Sequence, residues 1–352
     1  MNLYVHFPFC RTKCAYCALL SRAGTTPAAR AAHVVRVVRD CPSGPFETVY
    51  FGGGTPALCD LAPLLAAVKG RLAAAAEFTV ELHPLDVSDA LLETLRQGGV
   101  NRISLGVQSL DDAALAAMGR GHDARAAEAA FRRVRAVFPN AGLDLIAGWP
   151  GTDDARWRAT LARALALAPV HVSCYALIRE PRTRLDRAVR AGRLVLPDDA
   201  AALDQVAAAR DAFAAAGLVR YEVSNYARPG FACRHNAAVW RGEDYVGLGE
   251  GAHGRVGRTR TVGVADGYEA ASVAPLEDAF ERAVLALRTA EGIDLAAVSR
   301  RFPLLAPRLP GWRARLEALV APGILRRAAP DRFVPTARGF EVCDAVMAEL
   351  AS

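Results

Sequence analysis

Three cysteines stand close together near the start of the chain. Cys10, Cys14 and Cys17 are spaced by three and two residues, directly after a β-type run at residues 2–7. Thiols at that spacing can converge on one soft-metal site. Two simpler readings stand beside it: a zinc site, or three unrelated buried thiols. Structural zinc takes four protein ligands, and the nearest further candidates, His6 and Cys41, give no familiar zinc spacing. An iron–sulfur cubane on three thiolates leaves one iron open for a ligand, so iron–sulfur is the preferred reading. Cys41, Cys59, Cys174, Cys233 and Cys343 are isolated and read as small buried hydrophobes.

Other residues with chemical potential fall just after β-type runs. Phe51-Gly-Gly-Gly-Thr-Pro56 lets the backbone approach a ligand closely and offers N–H groups to a carboxylate or phosphate. Taken alone it is an ordinary turn. Glu81 ends a run, where a carboxylate could hold an ammonium or a ribose hydroxyl. Asp144 lies inside another run, and a buried strand carboxylate without a partner is costly, which favours a ligand role.

The elements that must position these groups alternate. β-type runs at 2–7, 48–51, 78–82, 102–106, 142–146 and 170–177 are separated by helical patterns. The helices are expected at 27–40, 61–76, 88–97, 112–118, 124–137 and 153–168, with Ser88 and Asp153 as caps. Six such alternations imply a parallel sheet with right-handed crossovers, curved into a barrel that keeps its chemistry after the strands. A helix at 197–217 and a β-type run at 218–223 follow, and from about 266 helices dominate, with a hairpin at 324–327 and 332–335 before a last helix at 338–350. The expected fold class is α/β: a partial (β/α)6 TIM-like barrel over 1–217, a connecting segment over 218–265, and a helical, winged-helix-like module over 266–352.

Composition narrows the function. The 352 residues carry a net charge of +6, but all basic residues except Lys13 and Lys69 are Arg, scattered without a dense run. Diffuse basicity names no partner, and the last helix carries Glu341, Asp344 and Glu349, which repel phosphate, so nucleic acid is not expected. No stretch has the ~20 apolar residues of a membrane span, and the N-terminus does not read as a signal peptide. A cytoplasmic protein with reduced thiols is expected.

Tyr4-Val-His-Phe-Pro-Phe-Cys10, continued by the spaced cysteines, resembles the radical S-adenosylmethionine superfamily, in the branch of anaerobic coproporphyrinogen oxidases and their HemW-type relatives. The resemblance extends through Gly53-Gly-Thr55, Asn101-Arg-Ile-Ser-Leu-Gly-Val-Gln-Ser109, Cys233-Arg-His-Asn-Ala-Ala-Val-Trp240 and Tyr245-Val-Gly-Leu-Gly-Glu-Gly-Ala-His-Gly254. It implies a radical S-adenosylmethionine barrel with a 4Fe–4S cluster on Cys10, Cys14 and Cys17. It implies S-adenosylmethionine contacts from Tyr4, Tyr16, Gly53, Gly54, Thr55, Glu81, Gln108, Arg120, Asp144 and Ala176. Arg120 would pair with a carboxylate, for which guanidinium is suited. The 233–240 segment is linked in this branch to haem, which assigns His235, Asn236 and Trp240 to haem contact, with Val239 standing where the family has Tyr.

Two departures separate this chain from the oxidase: Leu19 replaces a fourth Cys, and the first strand begins at residue 2 without an N-terminal extension. The resemblance therefore implies a haem chaperone that delivers haem, as cargo, to apo-haemoproteins, including membrane-bound respiratory enzymes. It implies an electron donor wherever radical chemistry occurs, and peripheral membrane association through the acceptors. The alternatives are enzymes: a methyltransferase using two S-adenosylmethionine molecules, or the coproporphyrinogen oxidase itself.

Overall fold

Two-residue periodicity in the strands sets the architecture. A computed structural model describes residues 1–351. Six parallel strands lie side by side in chain order: β1 (Asn2–Phe7), β2 (Phe46–Gly53), β3 (Leu72–Leu82), β4 (Arg102–Gln108), β5 (Asn140–Ala147) and β6 (His171–Ala176). Successive side chains on a strand face opposite ways. One set, including Val5, Phe7, Val49, Phe51, Val80, Ile103, Leu143 and Val172, is buried in the main core. The intervening set is polar: Tyr4, His6, Tyr50, Glu81, Ser104, Asp144 and Ser173. A barrel interior is ordinarily filled by branched apolar side chains. Here its inner face is built to meet a polar ligand.

Helices Pro27–Asp40, Ala62–Lys69, Asp89–Gln97, Ala124–Val137, Asp154–Ala166 and Asp199–Ala215 connect the strands and pack their apolar faces on that core. Both expected caps form: Ser88 accepts from the Leu91 N–H, and Asp153 from the Arg156 N–H. Residues 72–76, expected to continue a helix, instead begin β3, where Leu72 pairs with Phe46. Tertiary pairing overrides the helix propensity of the alanine run.

The sheet does not stop at six strands. Tyr245–Leu248 adds parallel to β1, followed by antiparallel His253–Val256, Thr259–Val264 and Gly267–Ser272. At the other edge, Asn225–Ala227 and Val219–Arg220 add antiparallel to β6. The segment 218–265 thus widens the sheet at both ends, and the division at 266 falls in a hairpin turn. Thr259–Val264 and Gly267–Ser272 are mostly exposed or half-buried, so they lack the apolar alternation that signals a strand. From Pro275 a second core forms around Trp312 and Phe333. Its three-stranded sheet runs Ile293–Asp294, Arg332–Pro335, Leu325–Ala329, and the final helical stretch divides at Val342 into Ala337–Glu341 and Cys343–Ala351. Among the described residues, no helix is long and apolar enough to cross a membrane.

Candidate functional site

The C-terminal ends of the strands open onto a cavity of about 670 Å³. Cys10, Cys14, Cys17 and Tyr16 reach it from the loop after β1, and Gly53, Gly54 and Thr55 from the end of β2. Glu81, Gln108, Asp144 and Ala176 come from β3 to β6, and Arg120 from the turn after helix Asp112–Met118. Residues up to 166 apart in sequence thus line one space, and it holds every residue assigned above to cluster or S-adenosylmethionine except Tyr4. Tyr4 lies below, its hydroxyl 2.9 Å from His6 Nδ1, while His6 Nε2 sits 2.9 Å from the Leu20 carbonyl.

The cysteine loop is strapped down from two sides. Ala15 N–H donates to the Met118 carbonyl at 2.8 Å, and the Ala15 carbonyl accepts from Leu185 N–H at 2.8 Å. Arg184 adds a bond to the Lys13 carbonyl at 2.7 Å. Ala15 packs with Met118, Trp149 and Leu185 in a small core of its own. Helix Arg184–Arg190, which carries no signal in the sequence reading, is therefore part of the site's support. Burial pushes the Cys10 and Cys17 thiols above their ordinary range, so the apo loop holds thiols, and metal binding must displace protons. Among the described residues no three His, Cys, Asp or Glu converge as ligands of one ion would. A cubane takes one thiolate per iron, which suits thiols set around a cavity mouth.

The glycine segment behaves differently from its sequence expectation. Gly53 N–H donates to Glu81 Oε2 at 3.1 Å and Gly54 N–H to the Phe7 carbonyl at 2.8 Å. Those donors are spent inside the protein, so the segment is no anion nest. Its value is closeness: a Cβ at Gly54 would lie 2.4 Å from the Phe9 carbonyl and 3.0 Å from Cys10 Sγ. At Gly53, φ is +102° and a Cβ would meet the His6 ring at 2.5 Å.

The polar lining is preorganised. Glu81 accepts from Tyr50 Oη at 2.7 Å, and Asp144 from Ser104 Oγ at 3.0 Å. Burial, with Asp144 nearby, raises the Glu81 carboxyl from 4.5 to about 7, and burial also raises Asp144. Two carboxyls held away from water favour a cationic ligand, which would restore their charge. Arg120 donates to the Gly106 carbonyl and lies 3.5 Å from Cys14 Sγ. Its Nε is buried without a partner, an orphaned donor suited to a carboxylate ligand. Gln108 ends β4 at φ +69°, beside a register irregularity. A non-glycine residue in that region stores strain, as binding sites often do. Tyr50 and Ser104, which orient the carboxylates, are missing from the sequence reading; strand alternation was the available signal. The residues present thus fit a cationic amino-acid ligand beside a thiolate-bound cluster.

His235, Asn236 and Trp240 lie elsewhere. Helix Arg234–Trp240 closes the opposite end of the barrel. Glu77 caps it, accepting from Arg234 N–H at 3.0 Å and His235 N–H at 3.2 Å. His235 is buried with Nδ1 2.8 Å from Thr48 Oγ1, and burial lowers its pKa to about 4. Trp240 lies under the Arg288 guanidinium at 5.0 Å. None of the three lines this cavity.

This constellation, a strand-loop cysteine trio at the mouth of an open α/β barrel, defines the radical S-adenosylmethionine class, and the Radical SAM superfamily model matches residues 4–164. The heme chaperone HemW of Mycobacterium tuberculosis H37Rv is 36% identical across 99% of this chain and 94% of its own length. That of Escherichia coli K12 is 36% identical across 73% and 70%. The chain belongs to the HemW family of the radical S-adenosylmethionine superfamily. Membership implies a 4Fe–4S cluster and S-adenosylmethionine. The solved structure of the Escherichia coli coproporphyrinogen III oxidase HemN superposes with a TM-score of 0.82 over 99% of this chain and 89% of that one. At 19% identity this likeness shows the shared fold.

Proposed function

We propose that the protein is a haem chaperone: it takes up haem as cargo and passes it to apo-haemoproteins, membrane-bound respiratory enzymes among them. One observation carries the reading: similarity to relatives named heme chaperone runs along 99% of the chain. Leu19 agrees with it, standing half exposed (53%) on the cavity lining where the oxidase pattern has a fourth Cys. The two enzyme alternatives, methyltransferase and coproporphyrinogen oxidase, are not favoured.

In this reading Cys10, Cys14 and Cys17 hold the cluster. Tyr16, Gly53, Gly54, Thr55, Glu81, Gln108, Arg120, Asp144 and Ala176 surround S-adenosylmethionine, with Tyr4 supporting from below. Bound there, the cluster supplies an open iron and one electron, the latter from a separate donor. The chain's own residues do the positioning. Tyr50 Oη and Gly53 N–H aim the Glu81 carboxylate, Ser104 Oγ aims Asp144, and Arg120 Nε offers its free hydrogen to a carboxylate. A cationic ligand bound there would favour the ionised Glu81, whose proton would pass to solvent. The barrel (1–217) works with the strands that 218–272 add to its sheet, the C-terminal module expected from 266 has its own core from Pro275 onward, and the protein works in the cytoplasm, reaching membranes through its acceptors.

The test is an anaerobic preparation with reconstituted cluster, titrated with haem by optical spectroscopy and then mixed with an apo-haemoprotein. It is afterwards incubated with S-adenosylmethionine and coproporphyrinogen. Stoichiometric haem binding and transfer, without protoporphyrinogen, is expected. Porphyrin product would make the protein the oxidase. Absence of haem binding with turnover of S-adenosylmethionine would make it a different enzyme.

A further inference from the structure

A second cavity, of about 620 Å³, lies on the widened part of the sheet and shares no lining residue with the first. That volume is in the ~300–1,000 Å³ range of sites for cofactor-sized ligands. The strand register gathers its chemistry on one face. His253 stands opposite Val262, and Arg255 opposite both Tyr245 and Arg260. All five line the cavity, together with Val239 and Leu285.

We propose that this cavity is the haem seat, with the imidazole of His253 as the iron ligand and Arg260 and Arg255 facing the propionates. The proposal rests on the chaperone reading and deepens it. Three observations support it. First, His253 is exposed at the cavity, so an iron can approach a ring nitrogen; His235 is buried and held by Thr48. Imidazole is the commonest protein ligand to haem iron, and it binds through a nitrogen lone pair with no other bond broken. Second, Arg255 is buried; its Nη2 pairs with Asp278 at 2.9 Å and Glu281 at 2.8 Å, while its Nε has no partner and is an unused donor at the cavity wall. Arg260 is half exposed; it pairs closely with Glu281, a carboxylate that Arg255 shares, and loosely with Glu277 at 3.8 Å, and Glu243 and Glu269 also line the cavity. A propionate at Arg260 would displace the loose Glu277 contact and share the guanidinium with Glu281. Third, Val239, Val262 and Leu285 give apolar surface for the macrocycle. Val239 is also the one residue of Cys233–Trp240 that lines the cavity, and it stands where the family pattern has Tyr. The segment's association with haem would then run through that position, while His235 closes the barrel floor.

The experiment titrates the full-length, cluster-loaded protein with hemin and follows the Soret band. His253→Ala is expected to weaken binding at least tenfold and shift the band, with added free imidazole restoring the wild-type spectrum. Val262→Trp, which fills the cavity opposite His253 while keeping the imidazole, is expected to weaken binding similarly. His235→Ala is expected to leave the Soret position unchanged. Cluster absorbance and S-adenosylmethionine binding report whether each variant is folded. If wild type binds hemin but His253→Ala and Val262→Trp bind it equally well, this seat is wrong and the chaperone reading stands. If wild type binds no hemin, the chaperone reading falls and takes the seat with it.

Discussion

Replacing Glu81 with Gln should make the ligand-free protein more stable at alkaline pH and poorer at holding S-adenosylmethionine. The Glu81 carboxyl sits at about 7 in the folded barrel against 4.5 when unperturbed, chiefly through burial. The folded state therefore binds this proton more tightly than the unfolded one. Ionisation of Glu81 costs stability: nothing well below pH 4.5, progressively more as pH rises, and a constant amount above about 7. The displacement corresponds at most to about 3 kcal/mol; the side chain faces an open cavity whose water shares its solvation, so about 2 kcal/mol is expected. Gln can keep both local contacts, accepting from Gly53 N–H and donating to Tyr50 Oη, so little else should change. Urea unfolding of cluster-free wild type and Glu81→Gln, at about pH 5 and about pH 8.5, isolates the effect. The variant's advantage should be below ~1 kcal/mol at the acidic pH and reach ~2 kcal/mol at the alkaline one. S-adenosylmethionine binding should show the opposite ranking, with wild-type affinity falling by about two- to tenfold from pH 8 to pH 6 as Glu81 takes up its proton. Equal stability differences at both pH values would refute the raised carboxyl and its link to a cationic ligand.

Cys14→Ala should abolish the visible absorbance of the reconstituted cluster while far-ultraviolet dichroism stays near wild type, because the thiol lies on a loop carried by a rigid barrel. Gly54→Ala should lower reconstituted cluster content severalfold, since the new Cβ meets the Phe9 and Phe7 carbonyls at 2.4 and 2.7 Å and only movement of the cysteine loop relieves it; full content at wild-type stability would contradict the packing. Arg282→Met should lower stability by about 3 kcal/mol in thermal or urea unfolding, because Arg282 and Asp278 are both buried and the variant leaves the carboxylate without this partner, which Arg255 only partly replaces.

The polar inner face explains why one barrel serves as a ligand site. Three inward charged residues are held by a neighbour on another strand, Tyr50 for Glu81, Ser104 for Asp144 and Thr79 for Arg102, and a fourth, Glu77, by the Arg234 and His235 N–H groups. Breaking one such bond strands a buried polar atom, at ~1–3 kcal/mol. The lining is thus set before any ligand arrives.

The cysteine spacing, the glycine triplet and the helices with side-chain caps are properties of contiguous residues, and they were legible in the sequence. Helices Pro27–Asp40, Asp112–Met118 and Ala124–Val137 form at the expected positions, because capping and 3.6-residue periodicity act within a few turns. The parallel barrel followed from the alternation of runs, and the resemblance of Asn101–Ser109 and its companions pointed to the residues that share the large cavity. Contacts between distant segments decided the rest. Residues 72–76 became strand because Leu72 pairs with Phe46 of β2 and the Ala75 and Ala76 carbonyls accept from the Arg234 and Asn101 side chains, partners that an isolated alanine run lacks. The strands after residue 245 took shape by adding to the edge of β1, and their exposed, glycine-containing residues carry little local preference. The sequence singled out His235 for haem and read His253 as structural; only the register of the sheet and the closure of the barrel floor buried the first and left the second open on a cavity. Spacing along a chain can name a chemistry, but which side chains meet around it depends on long-range packing, whose free energy no short segment contains.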